Sequence, residues 1–439
     1  MSMYDRLRGI RVRILPMGCR TNLFESEALG CSFAEAGALL SEEEVFDAAV
    51  VVTCSVTSEA DRKCRQILRR LRRENPDGMI IAAGCWAQRI SPEEARDLGV
   101  DCLVGNRLKS RIPGIVAEMM EHGRPPGGTR LERVDVQKNP EWDHLRLSER
   151  RTRTRAFVKI QDGCDHKCTY CLIPDLRGMP VERDPGEILQ EVSMLASSGC
   201  REVVFTGTNL GMFGRVSGFP LGEIVRRTGQ VEGIERVRFG SLEPFWLTED
   251  LLEALADTPQ FCPHLHIPLQ SGDTDILDRM GRGYTPGEFK ALVERARNFL
   301  GEDLHLSTDI IVGFPGETDK AFRSTMEMLE RISAGKVHVF PFSPREGTPA
   351  SLIDGPVPAG VVRSRMDQAL SLASELLERY SGRWVGKAVE ILVEKSQGGV
   401  IEGHSGHFLR VRASGGALPG EITMVVPDDS KKGVLLGMV

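Results

Sequence analysis

The chain has 439 residues, 41% of them hydrophobic and 27% charged, with a formal net charge of −6. At roughly 150 residues per domain this makes about three globular units, and the composition excludes disordered, collagenous and coiled-coil proteins. No apolar run approaches the ~20 residues of a membrane span, and Met1–Arg8 lacks the apolar core of a signal peptide, so a cytoplasmic protein without a membrane partner is expected.

In chain order, apolar runs at Val12–Leu15, Ala48–Val52, Met79–Ala82 and Cys102–Val104 alternate with helix-like segments over 23–38, 57–75 and 109–121. This predicts an α/β protein whose amino-terminal domain, residues 8–123, is a doubly wound parallel sheet. Weak apolar periodicity, the run Arg124-Pro125-Pro126-Gly127-Gly128, and Arg146, Arg150, Arg151 and Arg153 mark 124–153 as a basic linker. Over 154–381 strands are expected near Phe157–Ile160, Glu202–Thr206, Arg236–Phe239, His264–Ile267, Leu304–Ile311 and Lys336–Phe340. Helices are expected near 185–198, 248–257, 286–299, 317–331 and 362–380. The alternation predicts a partial or complete α/β barrel. In 382–439, period-two segments at Lys387–Val393, Phe408–Val411 and Glu421–Val425, broken by Gly398-Gly399 and Gly415-Gly416, predict a small all-β barrel.

Barrels of this kind carry their functional groups on loops after the strands. Those loops hold Gly163-Cys164, Gly207-Thr208-Asn209, Ser241-Leu242-Glu243-Pro244, Leu269-Gln270-Ser271-Gly272, Gly313-Phe314-Pro315-Gly316 and Ser343-Pro344-Arg345. Cys164, Cys168 and Cys171 fall within eight residues on the first loop, close enough to share one small inorganic cluster. Three thiolates on a 4Fe-4S cluster leave one iron open for a ligand. Zinc is the rival, and it wants a fourth protein ligand, for which His166 is badly placed. Cys19, Cys54 and Cys85 each end an apolar strand, and in an open parallel sheet such ends share the ligand-binding edge. They read either as a second three-thiol set or as separate core cysteines. Of the eleven cysteines, the other five, Cys31, Cys64, Cys102, Cys200 and Cys262, read as structural, reduced and unligated.

The loop Cys164–Cys171 resembles the cluster motif of radical S-adenosylmethionine enzymes. Together with Gly18-Cys19, Thr53-Cys54-Ser55-Val56-Thr57 and Gly84-Cys85-Trp86-Ala87-Gln88, it makes nearly the whole chain similar to the methylthiotransferases. The resemblance implies two 4Fe-4S clusters, one on Cys164, Cys168 and Cys171 and an auxiliary one on Cys19, Cys54 and Cys85. It also implies S-adenosylmethionine as cofactor and a carboxyl-terminal RNA-binding TRAM domain. One departure is Val52-Thr53, where many relatives carry Asn-Thr; ligation is not expected to suffer.

The segments Ser55–Lys63 and Val337–Thr348 resemble the branch that adds a methylthio group to carbon 2 of threonylcarbamoyladenosine beside the tRNA anticodon. Sister branches act on isopentenyladenosine in tRNA or on a ribosomal-protein aspartate, and a zinc-holding RNA-binding protein is the non-enzymatic alternative. Around the cofactor, Tyr170 is expected beside the adenine and Gly207, Thr208 and Asn209 near the methionine amino group. Ser241, Glu243 and Gln270 are further candidates, with a turn or helix-capping role as the alternative reading. Asp309 is either a polar wall or a structural residue. No side chain reads as a catalytic acid or base, because the cofactor carries the chemistry. For tRNA, Arg62, Arg65, Arg69 and Arg73 recur at helical spacing, Arg146–Arg155 form a second basic run, and Arg410 and Arg412 lie in the tail, although solvated surface charge is the usual explanation of such patches. The sequence names no electron donor or sulfur source.

Overall fold

The apolar runs of the first third become strands of a parallel sheet, as seen in a computed structural model that describes residues 7–124, 128–148 and 153–439. Pro125, Pro126, Gly127, Arg150 and Arg151 of the expected linker lie outside the described residues. Strands β1 (Arg11–Pro16), β2 (Leu39–Leu40), β3 (Ala48–Thr53), β4 (Met79–Gly84), β5 (Cys102–Val104) and β6 (Arg130–Glu132) pair in the order β2-β1-β3-β4-β5-β6. Every residue of β3 and β4 is buried, as continuous apolar strands covered on both faces must be. The order reverses between β1 and β3, so the crevice that suits a ligand opens beyond their carboxyl ends. Strand β6 falls in the expected linker, and with an exposed Leu131 between two half-buried charged residues it gives no apolar run to read.

Helix α1 (Arg20–Glu35) follows β1, and α2 (Ser58–Glu74) follows β3. In α2, Thr57 caps the amino end by accepting from the Ala60 N–H, while Cys64, Leu68 and Leu71 form the buried stripe. Two short helices, α3 (Cys85–Arg89) and α4 (Pro92–Asp97), precede α5 (Ile112–His122). After β7 (Arg155–Lys159) the chain forms the antiparallel pair β8 (Gln161–Asp162) and β9 (Val181–Glu182), with α6 (Ile173–Arg177) between them. Two compact units result. The first joins Phe157–His166 and Cys171–Arg183 to Met1–Arg151, and the second comprises Thr152–Ala156, Lys167–Tyr170 and Asp184–Val439.

In the second unit, β10 (Glu202–Thr206) pairs in parallel with β11 (Arg236–Phe239). Likewise β12 (His264–His266), β13 (His305–Val312) and β14 (Lys336–Pro341) form a parallel set, joined to β11 through a Ser241–His266 bridge. The helices are α7 (Pro185–Ser197), α8 (Leu221–Gly229), α9 (Glu249–Ala256), α10 (Thr274–Met280), α11 (Pro286–Leu300), α12 (Asp319–Arg331) and α13 (Ala359–Gly382). Helices α8 and α10 were not expected. The tail closes into a barrel of β15 (Val389–Gln397), β16 (Val400–Ser405), β17 (Arg410–Ser414), β18 (Ile422–Lys431) and β19 (Val434–Met438). Its core is Val389, Ile391, Val393, Ile401, Val411, Ala413, Val425 and Leu435.

The first residues of the α/β strands dock on this tail barrel. Arg155 pairs with Glu394, Arg236 donates to the carbonyls of Glu390 (2.8 Å) and His404 (3.0 Å), and Arg238 donates to the Gly406 carbonyl (3.0 Å). The Phe408 ring lies 4.8 Å from the Arg238 guanidinium, 5.3 Å from that of Arg155 and 5.6 Å from the Lys336 ammonium. Phe408 adopts φ 62°, a left-handed conformation that costs a bulky residue and persists only where the surroundings enforce it.

Glu202, wholly buried, compensates Arg238 (3.2 Å), Arg236 (3.5 Å) and Arg155 (3.7 Å). Burial alone would raise its carboxyl, but the three guanidiniums hold it down at about 2. Its stabilisation is therefore complete above the ordinary glutamate value of about 4.3 and is lost as pH falls through 2. Glu202→Leu should cost about 3–5 kcal/mol by stranding buried cations. Denaturant unfolding of the full chain should show this as a lower midpoint, and the variant should lose less stability than the parent between about pH 4.3 and 2.

Candidate metal centres and cofactor site

The three dispersed cysteines meet in the first unit, each presented by a strand end. Cys19 precedes α1 as its N-cap, Cys54 follows β3, and Cys85 begins α3 directly after β4. Two glycines make the approach possible. Gly18 (φ 81°) lies so near Cys54 that a Cβ there would stand 2.7 Å from the Cys54 Cβ and Sγ. Gly84 (φ 105°) turns the chain against the Thr53 carbonyl, which a Cβ would approach to 3.0 Å. Burial pushes the Cys54 thiol up to about 12, and the neighbouring Cys85 and Cys19 push the same way, so the three sulfurs share one electrostatic environment. The Asn106 side-chain amide donates to the Cys85 Sγ at 3.6 Å.

Beside these thiols lies a buried charge network that the sequence reading missed. Arg177 of α6 contacts Asp162 at 2.9 Å and Glu25 of α1 at 3.1 Å, and it donates to the Asn22 side-chain oxygen at 2.9 Å. Lys159 reaches Asp162 (2.7 Å) and Glu25 (2.8 Å), Lys109 reaches Glu25 (3.2 Å), and Arg107 approaches Asp162 (3.9 Å). Asn22 also donates to the carbonyls of Met17 (2.6 Å) and Thr53 (3.0 Å), tying the Cys19 and Cys54 loops to the same network. Burial opposes the Arg177 charge, yet Asp162, Glu25, Cys85 and Cys19 together hold its pKa well above the ordinary value. Glu25 is driven down to about 2 against its own burial by Arg177, Lys109 and Lys159.

Three thiols, an amide donor and a buried guanidinium fit an anionic thiolate-bound cluster. The guanidinium and N–H dipoles offset negative charge on the sulfurs.

The second set lies on the loop after β8. In the first unit the His166 backbone N–H donates to the Cys164 Sγ and that of Ile173 to the Cys171 Sγ, both at 3.4 Å. Cys85 packs with Leu172 and Leu176, so the neighbour of Cys171 touches a cysteine of the first set. In the second unit Arg282 donates to the Cys168 Sγ at 3.3 Å and also pairs with Glu243. Glu243 precedes the turn Pro244–Trp246 but makes no capping bond; its carboxylate serves Arg282 instead. Within each unit these sulfurs meet N–H or guanidinium donors, the kind of partner that suits a metal-bound thiolate.

The expected cofactor-binding residues all lie in the second unit. Tyr170 packs edge-on to Phe314, with centroids 6.4 Å apart. Gly207 and Thr208 are half-buried and Asn209 buried at the end of β10, and Ser241 is exposed at the bridge to His266. Gln270 holds φ 66° while its backbone bonds the Asp309 carbonyl (2.8 Å) and the Ile311 N–H (2.9 Å). Such strain in a non-glycine residue clusters at functional sites. The five cysteines read as structural are all buried. Of the basic helix, Arg62 is bound to Glu59 (2.6 Å) and Arg65 to Glu94 (2.8 Å), while Arg69 and Arg73 are exposed. No helix among the described residues is long and apolar enough to cross a membrane.

A parallel α/β array with two three-cysteine sets defines an iron-sulfur enzyme of the radical type. Residues 158–329 match the Radical SAM superfamily, and residues 11–105 match the Uncharacterized protein family UPF0004. The chain is 35% identical to the threonylcarbamoyladenosine tRNA methylthiotransferase MtaB of Thermotoga maritima, over 97% of this chain and 96% of that one. It is 37% identical to a tRNA-2-methylthio-N(6)-dimethylallyladenosine synthase of Parafrankia, over 89% and 79%. Among solved structures it is similar to the radical S-adenosylmethionine methyltransferase TsrM of Kitasatospora setae, at a TM-score of 0.60 and 14% identity, covering 79% of this chain and 77% of that one. The chain belongs to the radical S-adenosylmethionine methylthiotransferase family.

Removing Arg177 would leave Glu25 and Asp162 short of their main partner. Arg177→Met should cost about 3–5 kcal/mol, whereas Arg177→Lys, keeping one charge without the fork, should cost less. Since both carboxyls are held below their ordinary values, the gap between parent and Arg177→Met should be full above about pH 4.3 and narrow in acid. Denaturant midpoints measured against pH check both.

Proposed function

We propose that this chain adds a methylthio group to carbon 2 of threonylcarbamoyladenosine in tRNA, in the cytoplasm. The observation that carries the reading is that Cys19, Cys54 and Cys85 share one unit with Cys164 and Cys171: Cys85 packs against Leu172, the residue after Cys171, and Arg177 of the same short segment stands beside Cys19 and Cys85. Sulfur transfer requires this nearness, because the group that is donated must reach the site where the radical arises. When bound, the two 4Fe-4S clusters and S-adenosylmethionine supply the electron, the radical, the sulfur and the methyl group.

The chain's own residues bind and orient. Cys164, Cys168 and Cys171 would hold the radical cluster, and Cys19, Cys54 and Cys85 the auxiliary one. Arg282 holds the Cys168 sulfur and is itself fixed by Glu243. Tyr170, Gly207, Thr208, Asn209, Ser241, Glu243 and Gln270 form the proposed cofactor wall. The matched spans 11–105 and 158–329 support an auxiliary-cluster domain over 8–123 and a radical domain over 154–381, joined by the linker 124–153. The closed barrel supports a TRAM domain over 382–439 that contacts tRNA. The choice of branch rests on the segments Ser55–Lys63 and Val337–Thr348 and on the near-complete overlap with the Thermotoga relative.

Replacing Cys19, Cys54 and Cys85 together with Ala should remove roughly half the iron and stop methylthio transfer while reductive cleavage of S-adenosylmethionine continues. Replacing Cys164, Cys168 and Cys171 should stop that cleavage. Iron analysis and cleavage-product assays check both; methylthiolated product from the first variant would sink the assignment. Nucleosides from tRNA of a strain lacking the gene should lose the methylthio form of threonylcarbamoyladenosine and keep that of the isopentenyl nucleoside, and the reverse loss would transfer the chain to the sister branch.

A further inference from the structure

Three polar side chains of the second unit are not used by the proposed cofactor wall. His266 ends β12, Asp309 lies on β13 and His338 on β14, and their ligand atoms all lie within 4.8 Å of one another. His266 Nε2 is 3.0 Å from the Asp309 carboxylate, the two imidazoles lie with planes 11° apart and centroids separated by 5.6 Å, and Asp309 and His338 are paired in register. Asp309 is half-buried between the buried Thr308 and Ile310, so it points from the other face of β13, the face it shares with Ile311. Ile311 and Phe342, the latter four residues after His338, pack in the same apolar cluster as Tyr170. The triad therefore continues this surface about two residues, roughly 7 Å, deeper along β13 from the Tyr170 patch. The strained Gln270 clamps the same stretch by bonding the Asp309 carbonyl and the Ile311 N–H.

Resting on the methylthiotransferase reading above, we infer that His266, Asp309 and His338 form the subsite for the substituent on the target adenine, and that they select a polar substituent over an apolar one. A threonylcarbamoyl group presents N–H and O–H donors, a carbonyl and a carboxylate. Asp309 accepts from the donors, and the imidazoles donate to the oxygens. A dimethylallyl group presents only carbon, and seating it here would desolvate two imidazoles and a carboxylate with nothing in return. A site built to hydrogen-bond rejects an analogue lacking the partner far more strongly than an apolar pocket rejects a hydroxyl.

The experiment compares the holoenzyme with Asp309→Asn, His338→Phe and His338→Gln, each loaded to equal iron, on anticodon stem-loops carrying either threonylcarbamoyladenosine or isopentenyladenosine. The ratio of kcat/KM for the two substrates should fall about 10- to 100-fold in His338→Phe and Asp309→Asn, through loss on the polar substrate, and should recover in His338→Gln. Equal losses on both substrates, or an unchanged ratio, would overturn the subsite. So would metal analysis revealing a further zinc or manganese per chain that Asp309→Asn loses, since that would give the triad to a cation. Preference of the unaltered enzyme for the isopentenyl substrate would instead overturn the proposed branch, an outcome distinct from the others.

Discussion

The contact between Arg177 and the paired carboxylates Glu25 and Asp162 is the constraint on which the amino-terminal site depends. Each buried ion forfeits several kcal/mol of hydration, and only a nearly complete set of partners recovers it. Here the partners come from separate stretches of chain: Glu25 and Asn22 from α1, Lys109 from the turn before α5, Lys159 and Asp162 from β7 and β8, and Arg177 from α6. None of these stretches can shift without stranding a charge. The cysteines ride on the same pieces, with Cys19 three residues before Asn22, Cys54 after the Thr53 carbonyl that Asn22 holds, and Cys171 six residues before Arg177. Electrostatic cost thus sets the position of groups that are themselves uncharged as thiols.

The second unit uses a smaller version of the same device. Arg282, almost fully buried, faces Glu243 on one side and the Cys168 sulfur on the other. A positive group beside a thiolate eases charge accumulation on the metal that the thiolate binds. In both places a guanidinium fixed by carboxylates, with its planar fork of donors, supports sulfur; a lysine in either position would supply charge without that orientation.

Much of this was legible because it rests on local pattern. Buried parallel strands such as Ala48–Thr53 and Met79–Gly84 announce themselves as apolar runs, and three cysteines in eight residues are hard to read otherwise. The partners that organise the sites were not legible. Glu25, in a helix reading Asn-Leu-Phe-Glu-Ser-Glu, looks like solvated charge; only the fold reveals that it is buried while Glu27 is half-exposed. Arg177 and Arg282 sit in short, Gly- and Pro-punctuated segments where no periodicity marks an inward face. Strand β6 is too short and too exposed to stand out, β16 mixes glycine and polar residues into its alternation, and β19 is a short apolar run with no alternation to read. The positive φ of Gln270 has no sequence signature, since strain of that kind is imposed by the neighbouring strands.

The docking of the tail barrel on the strand beginnings also bears on how such a chain can be rearranged. Arg236 and Arg238 satisfy carbonyls at Glu390, His404 and Gly406, and Tyr380 donates to the Asp303 carbonyl at 2.6 Å. Cutting the chain near Arg383 would expose an arginine-rich floor whose partners had been removed, together with the Phe408 ring that covers it. The tail is consequently no interchangeable cassette. Transplanting a different RNA-binding barrel onto this enzyme, or lending this barrel to another, would require carrying the matching row of strand-initial residues, so the two modules are bound to diversify as a pair.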